Sequence, residues 1–84
     1  MGQDEVIRND VAIRACFAEW ERKNDKVRRV NVKMTLGPKG KARDVQAMGD
    51  HAKDRLGTCL CDAIGGMQFP EGARQTFTYP VMRP

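Results

Sequence analysis

The sequence predicts an α+β fold in which two helices pack on one face of a three-stranded antiparallel sheet, in the chain order α-β-β-α-β. Three observations support this prediction. Two segments carry apolar residues at the 3.6-residue spacing of a helix, and three others alternate apolar and polar residues as a half-buried strand does. Turns rich in Gly, Pro, Asn and Asp separate these segments. Two helices over one face of a sheet is the simplest arrangement that buries every apolar face.

The first helix is predicted over residues 4–23. Its apolar side chains fall within about 100° of arc, which is the width of one buried stripe: Val6, Ile13, Cys16, Phe17 and Trp20. Asn9 interrupts the stripe, so the alternative start is Asp10, a residue type that caps helix N-termini well. Asn24-Asp25 is expected to end the helix.

The first two strands are predicted over residues 26–36 and 41–48. In the first strand, four apolar side chains share one face: Val30, Val32, Met34 and Leu36. The second strand has a weaker pattern, with Val45 and Ala47 as its packing residues. Between them, residues 37–40 have the composition of a tight turn, with Pro at the second position and Gly where the backbone becomes left-handed.

The third strand is predicted over residues 74–82. Its side chains alternate between two faces: Phe77, Tyr79 and Val81 on one, Thr76 and Thr78 on the other. Pro80 indicates an edge strand, because a central strand needs the N–H that proline lacks. A right-handed crossover from the second strand places the third beside the first. The second and third strands are therefore expected at the two edges of the sheet.

The second helix is predicted within residues 56–70 and ends at Gly65-Gly66, before a Phe69-Pro70 exit. One stripe of this helix is apolar, with Ile64 at its edge. The stripe comprises Leu56, Cys59, Leu60, Ala63 and Met67. Asp50 is the expected N-cap, and His51 is expected at the surface in the first helical turn. Cys61 falls opposite the stripe, which predicts an exposed, unpaired thiol.

Cys16 and Cys59 lie on the predicted core faces of two different helices, which leaves two interpretations open. A disulfide would close a loop of 43 residues and stabilise the fold by about 4 kcal/mol in the chain-entropy model. Two buried free thiols would instead behave as small apolar side chains. A zinc site built from the three cysteines and His51 is disfavoured, because residues two apart on a helix diverge by about 200°.

Composition limits the chain to one domain, residues 1–84. The chain has 84 residues and a net charge of +4. A chain of this length buries only a small core, so a covalent cross-link would matter to its stability. No apolar run approaches a membrane span, and the first residues contain no apolar signal segment. The chain is expected to be a piece of a longer protein. No nucleophile–base pair or paired carboxylates stand out, so no enzyme activity, cofactor, metal or small-molecule substrate is predicted.

A nucleic-acid-binding module is the alternative from a different functional class. Gly37-Pro38-Lys39-Gly40 matches the G-x-x-G loop of KH domains, and the chain is basic. A KH loop joins two helices, however, whereas this one is predicted to join two strands. Aromatic side chains for base stacking are few, with only Tyr79 and Phe77 as surface candidates. The tight-turn interpretation is therefore favoured, and nucleic-acid binding through this turn and the Arg/Lys face stays the alternative.

Four short motifs, spread in order over nearly the whole chain, resemble the TonB-like C-terminal domain of the AgmX/PglI type. That type occurs in gliding-motility and other envelope proteins of myxobacteria. Its pattern is an Ile-x-x-Cys-aromatic helix, a Val-x-Val-x-Phe-x-Ile strand with a Gly-containing hairpin, a Cys-bearing helix leading into Phe-Pro, and a Tyr-Pro strand. The matching residues are Ile13, Cys16, Phe17, Val30, Val32, Met34, Leu36, Gly40, Cys59, Ala63, Phe69, Pro70, Tyr79 and Pro80. The chain departs from the pattern at Gly65-Gly66 and Met67, and Cys61 is additional.

The resemblance implies a periplasmic domain of a longer, inner-membrane-anchored protein, with a Cys16–Cys59 disulfide. It also implies a protein-interaction module of a force- or energy-transducing envelope complex. Such a module would bind an outer-membrane or periplasmic partner segment by strand addition at a sheet edge. We assign that edge to the third strand, through Gln75, Thr76, Phe77, Thr78, Tyr79 and Val81. Homodimers could form through the same sheet edges.

A third interpretation is a purely structural spacer that binds nothing. The three interpretations make different predictions about the thiols and about ligands. Only the periplasmic interaction module predicts both a paired Cys16–Cys59 and selective peptide binding. The nucleic-acid module predicts reduced cysteines and binding to RNA or DNA that weakens with salt.

Overall fold

The computed structural model describes residues 7, 10–24 and 26–83. Within them the elements follow the predicted order, which confirms the α+β fold class. They are α1 (Val11–Glu21), β1 (Arg29–Leu36), β2 (Ala42–Ala47), a 3-10 turn (Gly49–His51), α2 (Arg55–Gly65) and β3 (Gln75–Met82). Neither helix in this described part is long and apolar enough to cross a membrane.

Helix α1 begins at the alternative start, Asp10. The Asp10 side chain accepts a hydrogen bond from the Ile13 amide at 3.1 Å, which satisfies one of the free N–H groups of the first turn. Ile13, Cys16 and Phe17 are buried as predicted, and Trp20 is half-buried. Residue 6 of the predicted stripe lies outside the described residues.

Ile7, which the predicted stripe omitted, is buried in the core. The backbone at Asp10 is extended, and the Asp10 amide donates to the Ile7 carbonyl at 3.3 Å. The helical phase therefore restarts at Asp10, so a periodicity carried back from α1 does not find Ile7.

The N-cap of helix α2 is Asp54, so the prediction of Asp50 was wrong. The Asp54 side chain accepts from the Gly57 amide at 2.9 Å, whereas Asp50 lies in the preceding 3-10 turn. His51 consequently precedes the helix and is half-buried, with Nδ1 2.6 Å from Asp54 Oδ2. Its ring also meets Trp20 edge-on, with 5.9 Å between the ring centroids.

The buried stripe of α2 is rotated slightly from the predicted one. Leu56, Leu60 and Ile64 are fully buried, whereas Cys59 and Ala63 are only half-buried. Ile64 is thus central rather than peripheral, because α2 packs against β2 as well as against α1. The helix ends at Gly65 as predicted, although the Gly66 cap has an ordinary right-handed backbone.

The three strands form one antiparallel sheet in the order β2-β1-β3, as predicted. Strand β1 alternates strictly, with one face buried beneath the helices and the other open, apart from the partly buried Thr35. The buried face comprises Val30, Val32, Met34 and Leu36. These side chains join the apolar residues of both helices in a single core.

The segment after α2 returns to the β1–β2 turn. The Phe69 amide donates to the Gly40 carbonyl at 2.8 Å, and Gln68 forms a bridge with Lys41. Gly40 has φ +80°, and a Cβ added there would lie 2.0 Å from the Phe69 carbonyl oxygen. Only glycine fits this position, for its backbone angle and for the close approach.

Candidate functional site: a regular sheet edge beside a cross-linked helix pair

Strand β3 pairs with β1 in an unbroken register over its whole length, from Leu36 opposite Gln75 to Arg29 opposite Met82. The Arg83 amide donates to the Arg28 carbonyl at 2.8 Å, which marks residues 28 and 83 as a hydrogen-bonded pair. In an antiparallel ladder such pairs alternate with non-hydrogen-bonded ones. The direction of every backbone group on β3 follows from this alternation.

The backbone groups of four β3 residues are committed to β1: Gln75, Phe77, Tyr79 and Val81. The intervening Thr76 and Thr78 direct their N–H and C=O groups away from β1, toward the outer edge. Among the described residues none hydrogen-bonds to these outward groups. Of the predicted edge residues, only these two therefore direct their backbone groups outward. Among the others, Val81 is fully buried and presents no side-chain surface at the edge.

Pro80 also lies at an outward position, opposite Asn31 in a non-hydrogen-bonded pair. A proline there removes no bond from the β1–β3 ladder, which confirms the prediction of an edge strand. It does remove a backbone donor from the outer edge of β3. The outward amides thus form a short run at Thr76 and Thr78 that is interrupted at Pro80.

The two faces of this edge differ in chemistry. On the helix side, Phe77 and Tyr79 are half-buried and pack at the margin of the core. On the open side, Thr76 and Thr78 are exposed, and the Thr76 hydroxyl hydrogen-bonds with that of Thr35 at 2.9 Å. A strand added here would extend both an apolar face and a polar one.

The opposite edge, β2, is irregular. The register shifts between Lys33 and Thr35, because β2 carries an extra residue at that point. Asp44 lies in this stretch and has φ +52°, the left-handed conformation that one residue adopts in some bulges. At its start β2 is also flanked by the Lys41–Gln68 bridge. Bulges and covering segments are how sheets keep an edge from pairing with another chain.

The open face of the sheet is basic. Arg29, Lys33 and Arg43 are exposed there, and none of them forms an ion pair with a described residue. The aromatic side chains of β3 instead share the face of the buried Val81, beneath the helices. This face therefore offers charge to an anionic partner but no aromatic surface for stacking bases.

The 37–40 loop is a tight turn between β1 and β2, as predicted. Its own backbone bonds use two of its three amide donors. The Gly40 amide donates to the Gly37 carbonyl at 3.0 Å, and the Gly37 amide donates to the Lys41 carbonyl at 2.9 Å. Gly40 is buried beneath the Phe69 backbone. The geometry does not favour the nucleic-acid alternative at this loop, because a phosphate clamp needs free N–H groups.

Cys16 and Cys59 form a disulfide that joins α1 to α2, with 5.8 Å between their Cα atoms. Of the two interpretations left open by the pattern, the structure shows the cross-link. It also removes both sulfurs from the hypothetical zinc set. Among the described residues, no group of three His, Cys, Asp or Glu side chains is placed to hold a metal ion.

Cys61 is unpaired as predicted, but it is half-buried rather than exposed. The prediction erred because the side of α2 opposite the predicted stripe partly packs against β2. Burial raises the pKa of the Cys61 thiol, and the Asp62 carboxylate acts in the same direction, while a hydrogen bond with the Ala47 backbone lowers it. Since the thiolate is the reactive form, Cys61 is a poor nucleophile at neutral pH.

Two features of this site carry no clear signal in the sequence. Asp44 gives no warning of a bulge, because nothing in its neighbours distinguishes an extra residue from a regular strand. The outward direction of Thr76 and Thr78 depends on the ladder phase, which only the register sets. Comparison with protein-family models, characterised proteins and solved structures gives no match to this chain.

Proposed function

We propose that this domain is a protein-interaction module of the bacterial envelope that binds an extended partner segment by adding it to the β3 edge. The observation that carries the proposal is the asymmetry of the sheet. β3 is regular and its outward amides at Thr76 and Thr78 meet no described residue, whereas β2 is bulged and flanked. Native sheets ordinarily protect both edges against pairing with another chain. A regular edge with outward amides therefore supports a role in binding an added strand.

The Cys16–Cys59 disulfide supports a periplasmic location. Disulfides persist in oxidising compartments and are rare where thiol reductants are abundant. Together with the resemblance to the TonB-like C-terminal domains of the AgmX/PglI type, this supports a place in a force- or energy-transducing envelope complex. In that role the domain would be the end of a longer, inner-membrane-anchored protein, and the partner would lie in the periplasm or outer membrane.

The ladder geometry suits such a mechanical role. Every second residue of β3 bonds to the central strand β1 along an eight-residue register. A pull along β3 would load these bonds together rather than one at a time. The disulfide ties the two helices that cover the same sheet, so the load would reach a core that is covalently cross-linked.

The chemistry of the edge indicates the kind of partner. Residues of the added strand that face the helices would contact Phe77 and Tyr79, so they should be apolar. Alternate residues would continue the open face, where Lys33 lies opposite Thr78 and Arg29 lies opposite Met82. These basic side chains lie on β1, two strand spacings or about 9.6 Å from the added strand, so they would attract an acidic residue across β3 rather than as a direct cross-strand pair. We therefore expect a segment that alternates apolar residues with acidic or Thr residues. A second copy of β3 is a competing occupant, which would give edge-to-edge homodimers.

Site-specific photocrosslinking in the native cells tests the edge, with the domain in its full-length protein. A benzophenone amino acid replaces Thr78 in one protein and Gln46 in the other. These positions flank Lys33 on its two sides, so they are matched in depth and face. We expect a crosslink to an envelope protein from Thr78 and none from Gln46. Equal crosslinking from both positions, or none from Thr78, would contradict the proposal.

The crosslinked partner segment is then made as a peptide and titrated into the labelled domain. Strand addition predicts hydrogen-exchange protection at the Thr76 and Thr78 amides and shift changes over Gln75–Met82. Unchanged amide shifts on β3 would sink the assignment of this edge.

The compartment has its own test, which is alkylation of protein recovered from native cells, under denaturing and non-reducing conditions. One labelled thiol at Cys61 supports the periplasmic location. Three labelled thiols would place the chain in a reducing compartment, and nucleic-acid binding would then become the leading interpretation.

A further inference from the structure

A groove of about 410 Å³ runs between the two helices above the disulfide. Its lining residues belong to α1, to α2 and to the segment that follows α1. Trp20 and Cys59 are half-buried and supply its accessible apolar surface, above the buried Cys16 and Leu56. The volume lies within the range of about 300–1,000 Å³ that is typical of ligand sites in proteins. The β3 edge takes no part in this groove.

The charges around the groove are unevenly placed. Arg55 is neutralised by Glu19, with Nη2 3.3 Å from Oε1. Arg22 and Lys23 also line the groove, beside Trp20, and neither pairs with an acidic side chain in the described part of the chain. Part of their effect is to complement the carboxyl end of α1, where cations are favourable. Their side chains remain exposed and free to meet an external anion.

The remaining carboxylate of the lining, Asp62, lies at the other end of the groove. Two contacts set the antiparallel alignment of the helices, Cys16 with Cys59 and Glu19 with Arg55. Asp62 is one turn beyond Cys59, while Arg55 is one turn before it, so the two are about 10 Å apart along α2. The end that holds Trp20 is therefore the cationic end, and a carboxylate bound there would avoid Asp62.

We propose that this groove binds an apolar side chain of a partner polypeptide that is followed directly by an acidic residue. The apolar side chain covers the half-buried Trp20 and Cys59, and the carboxylate lies between Arg22 and Lys23. A polypeptide fits better than a small molecule, because the exposed rim leaves the groove open. A free ligand would bury too little of its surface there, whereas a side chain is held by the rest of its chain.

The sole tryptophan of the chain is Trp20, which makes the groove its own reporter. The probes are short Gly/Ser-rich host peptides with a central Phe-Glu, Phe-Gln or Gly-Glu pair. Binding is followed by Trp20 fluorescence and by amide shifts of the oxidised domain. We expect the Phe-Glu peptide to bind about fivefold more tightly than the Phe-Gln peptide at low salt, as two exposed ion pairs would give. The Gly-Glu peptide should bind least.

The variant Arg22→Ala/Lys23→Ala should bind the Phe-Glu and Phe-Gln peptides equally. The matched control, Lys39→Ala/Lys41→Ala, removes the same charge from the distant β1–β2 turn and should preserve the fivefold preference. The proposal is overturned by equal binding of the two Phe peptides to the unchanged domain, by loss of the preference in both variants, or by the absence of binding. Shift changes confined to β3 would also overturn it, and they would leave the strand-addition proposal standing.

Discussion

The two edges of the sheet differ in regularity. β3 holds one register with β1 over eight residues, while β2 changes register within six and places Asp44 at a positive φ. Both strands share the same central partner, the same helices above and the same open face below. The difference teaches that availability for pairing is set by the local backbone of each strand rather than by the fold. Five perturbations test this contrast.

The largest effect should come from the element that both edges share. Replacing Cys16 and Cys59 together by Ser should lower the free energy of unfolding by about 4 kcal/mol, the loop-closure value for 43 residues. Both edges should lose hydrogen-exchange protection together, because they depend on one core. Chemical denaturation with and without reductant measures the change. The Cys61→Ser variant is the control, and loss of protection on β3 alone would show that the edges do not share one cooperative unit.

Thr78→Pro should weaken partner binding at the β3 edge while leaving the fold intact. Its amide points outward, so the substitution spares the β1 ladder and removes one of the two donors of the run formed by Thr76 and Thr78. Binding of the crosslinked partner segment should weaken about tenfold or more, with the lost hydrogen bond and the ring both contributing. Calorimetric titration measures the affinity for the partner segment, after amide spectra have confirmed that the variant is folded. Unchanged affinity would show that the partner does not pair with β3.

Gly57→Ala should destabilise the fold by disturbing the packing of α2 against β2. An added Cβ would lie 1.9 Å from the His51 carbonyl oxygen and 2.9 Å from the Ala47 side chain. Helix α2 must then move away from β2, at a cost of about 1–3 kcal/mol for an overpacked site. Gly65→Ala is the matched control, since nothing lies within 4 Å of its added Cβ. Thermal unfolding compares the two, and an equal response would show that the close approach carries no energy.

Asp44→Gly should leave partner binding unchanged, because the proposed docking edge is β3 and not β2. The free energy of unfolding should rise slightly, by about 0.5 kcal/mol. Relief of the left-handed conformation outweighs the extra chain entropy of glycine by that amount. Denaturation and the same calorimetric titration check both points. A change in partner affinity would move the binding site toward β2.

The smallest effect should be a pH dependence at the end of β3. Arg83 makes a paired contact with Glu21 at the end of α1, including Nη2 to Oε2 at 3.1 Å. This hydrogen bond holds the pKa of Glu21 below its ordinary value of 4.5. The contact therefore stabilises the fold above that ordinary pKa, and the contribution is lost as pH falls through the lower pKa of the folded state. In Glu21→Gln the melting temperature should change less between neutral and acidic pH. The same pH dependence of the melting temperature in the variant and in the unchanged domain would contradict this prediction.

The sequence predicted the parts of the fold that periodicity encodes. The alternation around Val32 and the stripe around Leu60 are local patterns, and Pro80 carries a direct signal for an edge strand. The choice between Asp50 and Asp54 as N-cap was missed, because both are good caps and only the 3-10 turn decides between them. The environment of Cys61 was missed for a related reason. Helix α2 packs on two neighbours, so its exposed face is narrow and holds Arg55, Thr58 and Asp62 rather than Cys61.

The sequence predicted that the candidate site is an edge strand, but it did not predict which of the strand's backbone groups face outward. Nothing in the residues 74–82 states which amides point outward, because that follows from the phase of pairing with a segment some forty residues earlier. The bulge at Asp44 is likewise a property of the pair of strands. The contrast between the edges therefore belongs to the register, and it appears only when both neighbours of β1 are in place.

Strand β1 is close in sequence to β2 but far in sequence from β3, and this difference has a kinetic consequence. β2 follows β1 after one tight turn, but the pairs between β1 and β3 run from Leu36–Gln75 to Arg29–Met82, which close loops of 39 to 53 residues. Closing a longer loop costs more entropy, and folds rich in such contacts form more slowly. The β1–β2 hairpin should therefore form early and β3 should dock late. Until then β1 itself carries an unpaired edge, so a foreign strand competes with β3 for its own place in the sheet.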